Sequence, residues 1–466
     1  MHENDPSGQP SASPNRRTVL KGLGAGAAGV AAFPLIAACT GGSKPSSGSG
    51  AGTAVSSSSG STSAGAASSA STAVAKSGGS FSFGSNASDA KPKAAIAALI
   101  AAFDKQSGAK GKINSKAHND FQNQIGSYLN GSPDDAFTWF AGYRMRYYAK
   151  KGLVAPIDDV WQKIGAANFG PGIVAASTAD DGKKYFVPNY NYPWAFFYRK
   201  SFWAAKGYTV PKTFDALKAL CKQMQKDGIT PIAFGDKDGW PAMGTFDYLN
   251  MRLNGYQFHV DLMAHKQSWD QPKVKAVFDN WKSILPFQDK AALGLTWQDA
   301  STTMANKKAG MYLLGAFVTQ NFSDPKVVAD IDFFQFPMMT EANGQLALEA
   351  PIDGFMLSKK GSKNQVARDL LAYLGSAPAQ TLYASIDTGT NIPTNKMGDL
   401  SKASPLAKKA QKTIAEAKYI SQFLDRDALP AMANNVMIPA LQTFIKTGQY
   451  DTKSLEKQAK ALYASQ

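Results

Sequence analysis

From Phe81 to the end of the chain, short β-patterned runs alternate with amphipathic helical stretches, and no other feature limits the fold so tightly. Ser80-Phe81-Ser82-Phe83 alternates small polar and aromatic residues at the two-residue period of a strand. A helix is expected over 91–106, with Ile96, Leu99, Ile100 and Phe103 at three-to-four spacing and Gly108 where a C-cap belongs. Further strands are expected at 136–140, 184–188, 195–199, 232–234, 310–314, 332–336 and 354–358. Further helices are expected at 142–151, 213–226, 273–285, 297–306, 365–376 and 379–385, and through most of 405–464. Such alternation without an internal repeat predicts an α/β protein, its largely parallel sheets covered by helices on both faces.

Ahead of this body the composition changes. Residues 40–80 are almost wholly serine, glycine, alanine and threonine, too poor in apolar side chains to fold, and are expected to act as a flexible tether. Before them, Asn15-Arg16-Arg17-Thr18-Val19-Leu20-Lys21 opens a charged stretch that leads into a weakly apolar run over 22–38. That run is shorter and less apolar than the roughly 20 residues a spanning helix needs. It reads as an export signal of the twin-arginine type. Ile36-Ala37-Ala38-Cys39 is an aliphatic residue, two small residues and a cysteine, and resembles the lipobox of a bacterial lipoprotein signal. Residues 1–39 are therefore expected to be a signal, and lipid on Cys39 is expected to hold the rest at the outer face of the cytoplasmic membrane. Gly24-Ala25-Gly26-Ala27-Ala28-Gly29 matches a dinucleotide-binding pattern by letter, but it lies inside this signal rather than between a strand and a helix, and is set aside.

The formal net charge of +15 invites a nucleic-acid reading, yet the lysines are scattered over helical stretches, and no arginine-rich stripe interleaved with aromatics is present. A solvated cationic surface near acidic lipids or wall polymers fits better, with no nucleic-acid partner. Cys39 and Cys221 are the two cysteines. Cys221 falls on a helical pattern and reads as a small buried apolar side chain, so no disulfide is expected in the body, whose core is large enough to do without one.

Several segments of this body are similar, in order, to the bacterial extracellular solute-binding proteins of sugar-importing ABC transporters. They are residues 134–153; Gly182-Lys183-Lys184-Tyr185-Phe186-Val187-Pro188 with Phe197-Tyr198-Arg199-Lys200-Ser201-Phe202; and Pro211-Lys212-Thr213-Phe214-Asp215-Ala216-Leu217. Gly310-Met311-Tyr312-Leu313-Leu314-Gly315, Asp353-Gly354-Phe355-Met356-Leu357-Ser358 and Asn391-Ile392-Pro393-Thr394 follow. The resemblance implies a two-lobed fold of the periplasmic-binding-protein type (type II), with a ligand cleft between lobes joined by three hinge segments. Carried onto this chain, one lobe takes 81–192 plus 350–390 and the other 195–345 plus 395–466. The hinges then fall at 189–194, 338–351 and 389–393. It also implies carbohydrate capture outside the cell, delivery to the membrane subunits of an ABC permease, a monomeric state, and no cofactor.

A sugar offers apolar C–H faces and a rim of hydroxyls, so its site needs flat aromatics and charged or amide hydrogen-bonding groups. Trp240, between Gly239 and Pro241, is the leading candidate, followed by Tyr190, Tyr192 and Trp194 in the first hinge and Trp139 at a strand end. Polar candidates are Asp353, Asp247, Asp120 and His118, with Gly315 and Phe317 after a strand. Core packing is the competing reading for Trp139, a turn or cap for Asp353, a helix N-terminal position for Asp247, and an ordinary surface or core histidine for His118. The rival function is a secreted glycoside hydrolase, which needs two carboxylates about 5–5.5 or 6.5–9.5 Å apart; no motif selects such a pair. A non-sugar solute is the other alternative. With no G-x-S-x-G, H-E-x-x-H or Walker-type loop, neither a catalytic residue nor a metal site is expected.

Overall fold

The computed structural model describes residues 76, 78–387 and 391–464. The signal, Cys39, nearly all of the 40–80 stretch, and Gly389 lie outside them.

Two mixed sheets organise the described chain. β1 (Ser80–Ser85), β2 (Lys110–Ser115), β3 (Ala136–Phe140), β4 (Val187–Asn191), β10 (Ile352–Leu357) and β11 (Ile392–Pro393) form a six-stranded sheet in the order β11-β4-β10-β3-β1-β2. β5 (Trp194–Arg199), β6 (Thr230–Ala233), β7 (Ala309–Gly315) and β8 (Ile331–Phe334) form a four-stranded sheet ordered β6-β7-β5-β8. β9 (Ala347–Glu349) and β12 (Tyr419–Ser421) make a separate parallel pair. The chain passes between the two large sheets at Tyr192-Pro193, again between β8 and β10, and finally after β11.

Local sequence explains the elements. α1 (Ala90–Ser107) buries Ile96, Leu99, Ile100 and Phe103 on one stripe and stops at Gly108, whose φ of 75° suits a residue without Cβ. α2 (His118–Asn130) and α3 (Tyr143–Lys150) follow β2 and β3. β3, Ala-Phe-Thr-Trp-Phe, is buried along its whole length because it sits centrally, with β1 on one side and β10 on the other. α4 (Pro241–Asn254) starts with proline at its first turn, where the missing N–H costs nothing, and a buried Asp236 Oδ1 accepts the Ala242 N–H at 2.8 Å. Cys221 is buried and free, as its helical pattern implied.

Two expectations need correction. The sheets are mixed rather than largely parallel: β10 runs antiparallel to β3 and β4, β11 to β4, and β5 to β7 and β8. Strands that arrive from the other sheet enter against the local direction, so each crossing introduces antiparallel pairs. The strand expected at 184–188 lies at 187–191, because its register is set by β10 and β11, while Lys184 makes only an isolated bridge to Thr178. The helices expected through most of 405–464 are present, interrupted by β12 and by a turn at Phe423, with φ of 111°.

Gly354 shows how tightly β10 is held. A Cβ there would lie 2.1 Å from the Val187 carbonyl oxygen and 2.7 Å from the Phe186 ring. Gly354→Ala is expected to destabilise by about 1–3 kcal/mol, as overpacking does. Calorimetric melting of the full chain would register this as a lowered Tm, and an unchanged Tm would contradict the β4–β10 pairing.

Candidate ligand-binding site

Between the two sheets lies a cavity of about 370 Å³. Its position follows from the crossings: β4 ends and β5 begins at its floor, so Tyr190, Tyr192 and Trp194 all line it. Trp194 packs against Phe423 in a tilted arrangement with ring centroids 4.6 Å apart and meets Trp240 and Phe317 edge-on, each at 6.2 Å. Trp297 packs against Phe317 at 5.1 Å. Tyr190 stacks on Tyr383 at 4.9 Å. From the six-stranded sheet come Trp139 and Phe140, 5.0 Å apart.

The charged centre is Arg426. Its Nη1 donates to Asp353 Oδ1 at 2.6 Å and its Nη2 to the Tyr192 hydroxyl at 3.1 Å. Its guanidinium lies 4.1 Å from the centre of the Phe140 ring, and its Nε has no hydrogen-bond partner. Burial works against this charge, but Asp353, Tyr192 and Asp425 outweigh it and hold the guanidinium above its ordinary value. Opposite Asp353 and Gly354 the register of β4 slips by one residue, from Tyr190 to Pro188, which leaves Asn189 as the extra residue of a β-bulge beside the cavity. Burial pushes the Asp353 carboxyl up, and Arg426 partly offsets this. Asp425 pairs with Arg144 at 3.6 Å; Arg144 Nη1 donates to Gln122 Oε1 at 2.5 Å, and Gln122 Nε2 lies 2.6 Å from His118 Nε2. A polar chain thus runs from α2 through α3 to the 425–426 turn. Burial, with the Arg426 charge second, lowers His118 to about 4, so it is neutral at physiological pH.

Further polar contacts join the two sides at the cavity mouth. Gln298 donates to Asp89 at 3.3 Å, Gln320 donates to Asp387 at 3.1 Å, and Lys91 reaches the carbonyls of Thr319 and Phe322 at 3.3 Å. Asn189 Oδ1 and Asn391 Oδ1 are buried at the lining without a partner, as are the indole N–H groups of Trp139, Trp194 and Trp240. Unpaired buried polar atoms of this kind are costly unless something in the cavity meets them.

Of the candidates read from sequence, Trp240, Tyr190, Tyr192, Trp139, Trp194, Asp353, Phe317, Asp120 and His118 line the cavity. Asp247 and Gly315 do not. Asp247 is fully buried on α4 and accepts the Leu424 N–H at 2.8 Å. Gly315 ends β7, and its lack of a side chain lets Phe317 and Tyr192 close over it; a Cβ would come within 2.3 Å of the Phe317 ring. Sequence reasoning missed Arg426, Asp425, Asp89 and Gln298. The Asp425-Arg426-Asp427 triplet, caught between Phe423-Leu424 and Ala428-Leu429, was a usable signal, since an outer helix face does not place three charges inside such an apolar frame.

Two lobes around a cavity with aromatic walls and a buried, carboxylate-held guanidinium define a solute-binding protein. The chain belongs to the bacterial extracellular solute-binding protein family, whose sequence model matches residues 86–381. Family membership makes it a binding protein rather than an enzyme. An uncharacterised ABC transporter extracellular-binding protein of Pyrococcus horikoshii is 25% identical, over 65% of this chain and 68% of its own length. A probable sugar-binding periplasmic protein of Rhizobium meliloti is 25% identical over 59% of this chain and 66% of its own. Among solved structures, the bacterial solute receptor AcbH, described with an exclusive substrate preference for β-D-galactopyranose, is 43% identical. It superposes with a TM-score of 0.80 over 83% of this chain and 99% of its own. Maltose-bound MalE3 of T. maritima, at 16% identity and a TM-score of 0.69, shares the fold.

Proposed function

We propose that this chain is the extracytoplasmic receptor of a sugar-importing ABC transporter and that its cleft takes a neutral hexopyranose of the galactose type. The observation that carries this reading is a single cavity shared by the faces of Trp194, Trp240 and Phe317 and the Arg426–Asp353 pair. Aromatic rings take the C–H faces of the sugar; the guanidinium, carboxylates and amides take its hydroxyls. The cavity stands near the lower end of the roughly 300–1,000 Å³ range of small-molecule sites, which favours a monosaccharide over a long oligosaccharide. The 43% identity to a receptor described as preferring β-D-galactopyranose supports the choice of hexose.

Residues 81–192 with 350–390 make one lobe and 195–345 with 395–466 the other, and a sugar touching both favours closure about the three crossings. Lipid on Cys39 keeps the monomeric receptor at the membrane beside the permease subunits it feeds.

Charge sets the ligand class further. Among the described lining residues Asp89, Asp120, Asp238, Asp353 and Asp425 are acidic and Arg426 is the one cation. A uronate carboxylate would meet like charge in a dry site. In a thermal-shift panel on the full chain, D-galactose is expected to raise Tm through mass action, and D-galacturonate to require at least about 100-fold more ligand for the same shift. Equal shifts by the two would overturn the charge argument. A shift by amino acids or peptides alone would move the ligand out of the sugars.

A further inference from the structure

Beneath the cavity lies a cluster that the proposed site does not use. The turn over 422–427 carries Phe423, Asp425 and Arg426 to the cavity wall, and Phe423 sits at a φ of 111° that a side chain rarely adopts. Something must hold this turn in place. Asp427 Oδ2 accepts the Gln422 N–H at 2.9 Å and the Ser421 hydroxyl at 3.2 Å, and Gln422 Oε1 accepts the Ile352 N–H at 3.1 Å. Deeper still, Asp247 Oδ2 accepts the Leu424 N–H at 2.8 Å.

The other oxygen of Asp247 has no N–H or hydroxyl donor, and neither does either oxygen of Glu349. Both side chains are fully buried, and the two carboxyl groups are within hydrogen-bonding reach of each other. Two facing carboxyls in that position need a proton between them. Glu349 ends β9, two residues before Pro351 at the cavity, so the pair links the crossing segment to the turn that carries Arg426.

Nothing around the pair replaces that proton. His259 Nε2 is 3.9 Å from Asp247 Oδ1, but burial lowers His259 to about 3, so it is neutral. Arg252 donates to the carbonyls of Phe336 and Ala347, at 3.1 and 2.7 Å; its Nη2 is buried without a hydrogen-bond partner, and its charge acts on Glu349 through space without supplying either carboxyl a donor. The Tyr248 hydroxyl donates to the Trp194 carbonyl. Asp427 and Asp425, the remaining charged neighbours, add like charge.

We propose that Asp247 and Glu349 share a proton and through it fasten the Phe423–Arg426 turn to the crossing segment, which makes sugar capture sensitive to alkaline pH. This rests on the reading that Arg426 meets the sugar, so the test has one arm that needs no sugar. Burial raises both carboxyls well above the usual carboxylate range, with contacts to Glu349 and the Leu424 N–H partly offsetting it at Asp247. A raised acid gives stability that is present at low pH and lost as pH rises through its folded value.

Glu349→Gln supplies a permanent N–H in place of the shared proton. Without ligand, the full-length Glu349→Gln chain is expected to gain at least about 2 °C in Tm on wild type between pH 6 and pH 9. Parallel melting curves would overturn the proposal. With D-galactose as probe, wild type is expected to lose about tenfold in affinity between pH 7 and pH 9 as the shared proton is removed, and Glu349→Gln less than about twofold. Asp247→Asn, which keeps an oxygen for Leu424 and an N–H for Glu349, should flatten the profile likewise. Identical pH profiles in all three chains would overturn the proposal while leaving the sugar reading intact. Absence of sugar binding at every pH would sink the sugar reading and leave the melting arm to decide.

Discussion

Arg426→Ala is expected to weaken sugar binding by at least about 100-fold, a loss of about 2.7 kcal/mol. The guanidinium is the one cation among the described lining residues, is held by Asp353 and Tyr192, and has an Nε without a hydrogen bond, 3.8 Å from Asp425 Oδ1. A hydrogen bond to a charged group is worth about 1.5–3 kcal/mol, so one or two such bonds to sugar hydroxyls account for the loss. The same change removes the partner of a buried carboxylate, which costs about 3–5 kcal/mol, softened here as Asp353 takes up a proton. The variant should therefore also melt lower. Arg426→Lys separates the two effects: it restores a charge for Asp353 and most of the Tm, but it lacks the planar fork and should still bind poorly. Calorimetry on both variants checks this. Affinity within threefold of wild type for Arg426→Ala would remove Arg426 from the site.

Trp240→Ala is the second large effect. Trp240 precedes α4 at the cavity lining, meets Trp194 and Phe317 at ring distances of 6.2 and 6.0 Å, and is only partly buried. A ring face of about 100 Å² covered by sugar contributes about 2.5 kcal/mol at 25 cal/mol per Å². Binding should fall by about 70-fold, whereas Tm changes little because α4 keeps its proline start and the Asp236 contact. Trp240→Phe should recover most of the affinity. An alanine variant with undiminished affinity would place the aromatic wall elsewhere.

The cleft was legible in the sequence wherever an aromatic stood beside a proline or glycine at the end of a strand. Tyr192 and Trp194 flank Pro193 between two strands and satisfy that pattern; Tyr190 lies two residues from Pro188, Trp240 stands between Gly239 and Pro241 before a helix, and all four line one cavity. Asp353 was legible as a carboxylate at a crossing, though the bulge at Asn189 opposite it was not, because a register shift depends on both paired strands. Asp247 shows the limit from the other side. A carboxylate on an apolar helix suggests a site, and it lies beneath the site, fastening Leu424. Arg426 escaped notice because it falls within 405–464, a stretch that reads mostly as helix. β12 breaks that helix by pairing with β9, more than 60 residues away in sequence, which no local pattern reveals. The mixed sheets were missed for the same reason: direction is fixed by where the chain crosses, not by the strand's own residues.

Isothermal titration of the full chain with D-galactose at neutral pH tests the central claim most directly. The account predicts saturable one-to-one binding with Kd in the micromolar range or tighter, and a negative heat-capacity change as the lobes bury the aromatic walls and the sugar faces. Absence of saturable heat with D-galactose and other neutral hexoses, alongside binding of a charged or non-sugar solute, would contradict it.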